Sequence, residues 1–223
     1  MIDITTPKGR IVAALMRLAA ERRWRDISMM DIADASGITL LELRKEFERK
    51  GQMLSSFGYM VDAEVLRKAP RRQPTQSARD AIFDVVMSRF DALAPYKAAM
   101  KSASDGGALD ASLLKSLMRS QTVMLQAAGI NTEGPPGQVR VAGLAGVFTR
   151  TFHTWLDDTD PGMARTMAAL DRHLRSGERS LEALSGLCST ARRFTDILRP
   201  GPCSPSTPTA SAPASEQNPH PPV

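Results

Sequence analysis

The sequence predicts an all-α fold. Apolar residues before residue 185 recur at intervals of three and four, the spacing of one helix face. β-branched residues show no period-two alternation, so strands are not expected. Gly- and Pro-containing polar stretches cut the periodic pattern into segments of helical length.

The first helix is expected from near Pro7 to about Arg23, with Ile11, Leu15, Leu18 and Ala19 facing inward. In "ISMMD", Ser28 precedes Asp31 by three residues, a cap with an acid in the first turn. It opens a second helix, Met29 to Ala35, which Gly37 can end by turning left-handed. Thr39 can cap a third, about Leu40 to Phe47. A fourth starts near Lys50, carries Met53, Leu54, Phe57, Met60, Val61 and Val65, and stops before Pro70. "APRRQPTQS" is a linker by composition, and a domain boundary is placed there. Ala78 to Leu93 is amphipathic, and Pro95 breaks or kinks the helix at its end. "SASDGGALD" is expected to be a loop, Leu109 to Ala128 a helix and "GINTEGPPG" a long turn. Gln138 to Leu156 is a strongly apolar helix containing Val139, Val141, Leu144, Val147, Phe148, Phe152 and Trp155. Beyond "DDTDPG", Met163 to roughly Leu184 is the next helix. From residue 200 the chain is rich in Pro, Ser and Ala, too poor in apolar surface to offset its chain entropy, and is read as disordered. The expected domains are therefore 1–69, 76–199 and a tail, 200–223.

Composition narrows the function. The net charge is +5, and residues 1–72 hold fourteen Lys or Arg against ten Asp or Glu. A basic N-terminal part suits an anionic partner, nucleic acid or membrane surface, although a solvated surface explains it equally well. No apolar run approaches the roughly 18 residues of a membrane span, and the N-terminus has no secretory core, so a cytoplasmic location is expected. Cys188 and Cys203 make no CxxC, which argues against zinc. His153, with only Asp157 near it in sequence, is expected to be packed or ligand-facing on its apolar helix. The acidic turn Asp157, Asp158 and Asp160 is explained by helix capping before Pro161. There is no GxSxG, HExxH or phosphate-cradling glycine loop, so neither an enzyme nor a cofactor is expected.

Ala33, Gly37, Ile38 and Leu43 stand where a helix-turn-helix needs a small contact residue, a turn and two core plugs. With Ile32, Ala35, Phe47, Lys50 and Leu54 they match the "IA..AGV", Leu-Tyr-x-x-Phe and Ser-Lys-x-x-Leu-Leu pattern over roughly Arg10 to Phe57. The chain in this region resembles the TetR family of bacterial repressors. The resemblance implies a three-helix DNA-binding head, a C-terminal helical ligand and dimerisation domain, a homodimer and a two-fold operator. It also implies that Lys50 binds a phosphate. Arg44 replaces the family's tyrosine and Arg49 its serine. The candidate DNA contacts are Thr39, Leu40, Arg44, Lys45, Arg49 and Lys50. Glu42, Glu46 and Glu48 oppose this, because carboxylates are repelled by phosphates. Glu46 can pair with Arg49 or Lys50.

A second resemblance covers the C-terminal half. Trp155, Leu156, Asp158, Thr166, Leu170, Asp171 and Arg172 match the lipid-binding accessory proteins of ubiquinone biosynthesis, which share the fold; Asp160 replaces a Ser or Thr. The alternative function is thus a non-enzymatic isoprenoid-lipid carrier with a degenerate helix-turn-helix. Either resemblance implies a cavity for a hydrophobic small molecule or lipid, with Phe83, Phe90, Met124, Phe148 and Phe152 as candidate lining. Met87, Met100, Met118, Met163 and Met167 would make such a cavity adaptable, or simply fill the core. Residues 179–199 carry an apolar stripe with basic flanks, which can dock on the body or lie on an anionic bilayer.

Overall fold

The computed structural model describes residues 2–68, 72–108, 110–177 and 179. All fall within one compact unit, helical throughout, with no strand among the described residues. The tail, Cys188, Cys203 and the stripe beyond Arg179 lie outside them.

Local capping chemistry sets the N-terminal helices. Helix α1 (Pro7–Glu21) starts with Pro7 in its first turn, and the Thr6 hydroxyl accepts from Gly9 N at 3.0 Å. Its buried face includes Ile11, Val12, Leu15, Leu18 and Ala19. After a 3-10 turn (Trp24–Asp26) comes α2 (Met29–Ser36). There Ser28 N donates to Asp31 Oδ2 at 2.8 Å and Asp31 N to Ser28 Oγ at 3.1 Å, a reciprocal capping box. Gly37 ends α2 at φ 68°, ψ 35°, a left-handed turn that only glycine takes without strain. Helix α3 (Leu40–Glu46) comes next, and α4 (Lys50–Lys68) buries Met53, Leu54, Phe57, Val61 and Val65.

Helix α5 (Ala78–Leu93) is capped by Ser77 and leads into a 3-10 turn through Pro95 (Ala94–Tyr96). Helix α6 (Lys97–Asp105) corrects the first four residues of the expected loop "SASDGGALD", Ser102 to Asp105: Ala99 and Ala103, four apart, are its buried residues. Two alanines give too small a stripe to register as an apolar face, yet they let α6 pack closely on α1. Helix α7 (Ala111–Ala127) packs against α4, and α8 (Gly134–Asp157) against α7. Helix α8 starts four residues before the expected Gln138, because Pro135 and Pro136 serve as first-turn residues rather than as a break. Val139, counted among the apolar residues of this helix, is 46% exposed. The last described helix, α9, spans residues 164–177.

The acidic turn between α8 and α9 is a structural joint. Asp158, buried, accepts from Thr166 N at 2.9 Å and from Thr166 Oγ1 at 2.7 Å. Asp160 accepts from Gly162 N and Ala164 N. Asp157 turns outward to Lys101 on α6 at 2.7 Å, while the Lys97 ammonium donates to the Asp158 carbonyl and lies over the Trp155 ring. Hydrogen bonds from Thr166, its hydroxyl first, hold the Asp158 carboxyl below its ordinary value. A depressed carboxyl stabilises the fold above its unfolded value of about 3.9, and that stabilisation is lost as pH falls through the folded value. Asp158→Asn is therefore expected to lose about 1–2 kcal/mol at pH 7. The difference from the parent should shrink below pH 4 or so in thermal melts monitored by circular dichroism.

Candidate nucleic-acid interface

Helix α3 presents its outer side to solvent because Leu43 and Phe47 hold its inner side in the core. Both ends are fixed. Thr39 N donates to Glu42 Oε2 at 2.9 Å, and Glu42 N donates back to Thr39 Oγ1 at 3.2 Å. At the far end the Arg44 guanidinium donates to the Glu48 carbonyl at 2.8 Å, and Glu48 N donates to Gln52 Oε1 at 2.7 Å. This changes the meaning of the acidic residues. Glu42 is the second half of a capping box, and its carboxylate is folded back onto its own helix start. The Thr39 N–H, then the Thr39 hydroxyl, hold its carboxyl below the usual carboxylate range. Glu46 remains exposed, with no ion pair to Arg49 or Lys50 among the described residues.

The six candidate contacts divide. Arg44, Lys45 and Arg49 are exposed, as is Thr39, whose hydroxyl is engaged in the cap. Leu40 is a correction: it is half-buried and packs against the core. Its neighbour Leu41, outside the candidate set, is 69% exposed. The register was readable, since Leu41 lies two residues from buried Leu43, on the other side of the helix, one turn before Lys45. Lys50 also departs from expectation. Its Nζ donates to the Trp24 carbonyl at 2.5 Å and to the Ile27 carbonyl at 2.7 Å, and lies 5.0 Å from the Trp24 ring centroid. Burial lowers its pKa, against the pull of Asp26 and Asp31. The ammonium thus closes the 3-10 turn instead of pointing at the surface. Two further cations border α3: Lys8 stands over the Phe47 ring at 5.5 Å, and Arg10 is near enough to stabilise the Glu42 carboxylate.

The first turn of α4 is also held from the body. Asp110 caps α7 by accepting from Leu113 N at 2.8 Å, and its other oxygen lies against Gly51. A Cβ on Gly51 would stand 2.1 Å from Asp110 Oδ2, so glycine is required for the approach.

In the body, the five expected cavity residues do not form one open chamber. Phe90, Met124 and Phe148 are buried in the core. Phe90 stacks on Phe148 at 5.3 Å between centroids, and Phe152 and Trp155 extend the aromatic group. Phe83 instead lines a surface pocket of about 350 Å3 with Met167 and Asp171 of α9. His153 is exposed rather than packed.

No family model matches this chain, and no curated protein matches it. Solved structures do. A TetR transcriptional regulator from Nitrosomonas europaea ATCC 19718 superposes with a TM-score of 0.59 at 21% identity, covering 77% of this chain and 97% of its own. One from Rhodococcus sp. RHA1 gives 0.59 at 17%, covering 75% and 93%. A TetR-family regulator from Streptomyces coelicolor gives 0.54 at 15%, covering 86% and 94%. The fold is that of the TetR regulators. Gly37 joins α2 and α3 in a helix-turn-helix arrangement, and α4 packs against α5 and α7.

Two substitutions check the local assignments. Lys50→Met should destabilise the protein by about 1–3 kcal/mol, since it strands two carbonyls that a charged donor now satisfies. Glu42→Gln should leave the melting temperature unchanged, because glutamine also completes a capping box, whereas Glu42→Ala should lower it; differential scanning calorimetry separates the pair.

Proposed function

We propose that this protein is a DNA-binding transcriptional regulator that acts as a homodimer and is released from its operator by a hydrophobic small molecule. The observation that carries the reading is the outward face of α3. Leu41, Arg44 and Lys45 project from a helix whose ends are fixed by caps, and exposed Lys8, Arg10 and Arg49 stand around it. Cations of this kind fix a protein on phosphates, while Leu41 is suited to meet a thymine methyl in the major groove. Thr39 supports the helix rather than the base readout, and Lys50 positions the turn beneath.

The dimer is proposed to form through α8 and α9. Val139, Ala142, Gly143, Gly146, Arg150 and His153 make a continuous exposed stripe on α8, and open space at Gly143 and Gly146 lets a second helix approach closely. Two heads so joined would read half-sites about one DNA turn apart. The ligand acts by binding one head spacing better than the other.

The lipid-carrier reading has one observation in its favour: Lys50 is withdrawn from the surface that should grip DNA. Against it, Trp155, Asp158, Thr166 and Leu170, the residues of the lipid-protein resemblance, have structural jobs in the α8–α9 joint.

A gel shift on the gene's own promoter region, titrated with salt, tests the regulator. Specific binding should weaken several-fold for Arg44→Ala and for Arg49→Ala across sequences, each reducing the salt slope by about one. Lack of a specific shift on any genomic fragment, with isoprenoid lipid co-purifying, would establish the carrier instead. In native mass spectrometry the parent chain should be a dimer and Gly146→Arg a monomer.

A further inference from the structure

Resting on the ligand-responsive reading above, we propose that the effector is a medium-chain monocarboxylate, held in a groove between α1 and the 3-10 turn that leads into α6, with its carboxylate on Arg17. The groove has a volume of about 290 Å3, close to twice that of a cavity of about 150 Å3 that admits benzene. One side is α1, through Met16, Arg17 and Ala20, and the other is Tyr96 and Ala99. Ile2 and Ile4, on the segment before α1, close a third side.

These walls are held in place. Tyr96 packs edge-on against Phe57 with ring centroids 4.9 Å apart, and buried Ala99 sits where α6 packs on α1. The segment before α1 is turned back on that helix. Thr6 Oγ1 donates to the Asp3 carbonyl at 3.1 Å, and a Cβ on Gly9 would stand 1.7 Å from the same oxygen. Ile4 nevertheless remains 63% exposed beside the groove. A hydrocarbon chain laid there gains by covering apolar surface that the fold leaves in water.

Charge selects the head group. Among the lining residues only Arg17 carries a charge. It makes no ion pair among the described residues, although Glu21 stands one turn along α1. The Asp3 carboxylate, on the segment before α1, accepts from Thr5 N at 2.9 Å and from the Thr5 hydroxyl, and does not line the groove. Arg17 Nη2 donates to the Ala35 carbonyl at 3.0 Å, while its Nε and Nη1 make no hydrogen bond among the described residues. A guanidinium fork suits a carboxylate, which it meets with charge-assisted bonds. An ammonium is repelled at the same place, and a neutral head forgoes the charge. Ala35 lies in the last turn of α2. A carboxylate drawn onto Arg17 therefore competes with a contact that ties α1 to the helix-turn-helix.

Octanoate is the probe, with octan-1-ol, octylamine and acetate as the neutral, cationic and tailless controls. Binding to the full chain is read by isothermal titration calorimetry without DNA. Octanoate should bind saturably, with a Kd of about 1 mM or below. The alcohol and the amine should bind about tenfold more weakly or not at all, and acetate not measurably. Arg17→Gln, which removes the charge, should weaken octanoate about tenfold. Ala20→Phe should do the same by filling the groove from an exposed position with the cation left in place, and it keeps the test open should the first variant fail to fold. On the promoter fragment, octanoate should weaken the parent's complex several-fold and leave that of Ala20→Phe unchanged. The proposal is overturned if octanoate does not bind, if the alcohol or the amine binds as tightly, or if either folded variant binds as the parent does. It is equally overturned if bound octanoate leaves the promoter complex as it was. A parent that shifts its promoter but ignores octanoate refutes this groove alone. One that binds octanoate selectively but shifts no promoter refutes the operator reading alone.

Discussion

The first turn of α4 is held from two directions, and the arrangement of both halves of the molecule depends on it. From the N-terminal side, the Lys50 ammonium draws the carbonyls of Trp24 and Ile27 onto the helix start. From the body, the Asp110 carboxylate closes on Gly51, where no side chain stands between the two helices. Trp24 and Ile27 lead directly into the capping box of α2, so the same contact sets where α2, Gly37 and α3 lie. The C-terminal end of the helix-turn-helix is thus referenced to α7 through two residues, 50 and 51.

This accounts for a conflict that the sequence poses. An acidic helix is a poor ligand for DNA if all its charges face outward. Here Glu42 is folded back as a cap, while Glu48 contributes its backbone to the hold on Arg44 and Gln52. The cation that the family pattern offers at Lys50 is withdrawn too, so acid and base both serve the architecture. Lys8 and Arg10 of α1 restore positive charge beside α3. The balance at the surface is then set by residues from two helices, and a count along α3 alone misjudges it.

Features governed by near neighbours were legible in the sequence. The Ser28–Asp31 box, the left-handed Gly37 and the capping role of the acidic turn each involve groups within a few residues, where chain geometry leaves few alternatives. Features that depend on distant packing were not. Nothing local says that Lys50 reaches back to Trp24. Helix α6 escaped because its buried face is two alanines, whose value lies in close approach rather than in apolar area. Of the aromatic residues read as cavity lining, Phe90, Phe148 and Phe152 lie together, but a set of residue names cannot distinguish rings that surround a space from rings that fill it. Phe90 and Phe148 fill it.

A buried polar cluster fixes the middle of α4. Asp62 lies twelve residues after Lys50 on the same helix, or about 18 Å at 1.5 Å per residue. A helix of this length transmits a shift or tilt better than a loop would. Asp62 is held by Arg89 of α5 and Ser120 of α7, so the middle of α4 is fixed relative to both neighbours. The Asp110–Gly51 contact, made by the opposite end of α7, makes the start of α4 sensitive to the same α4–α7 packing.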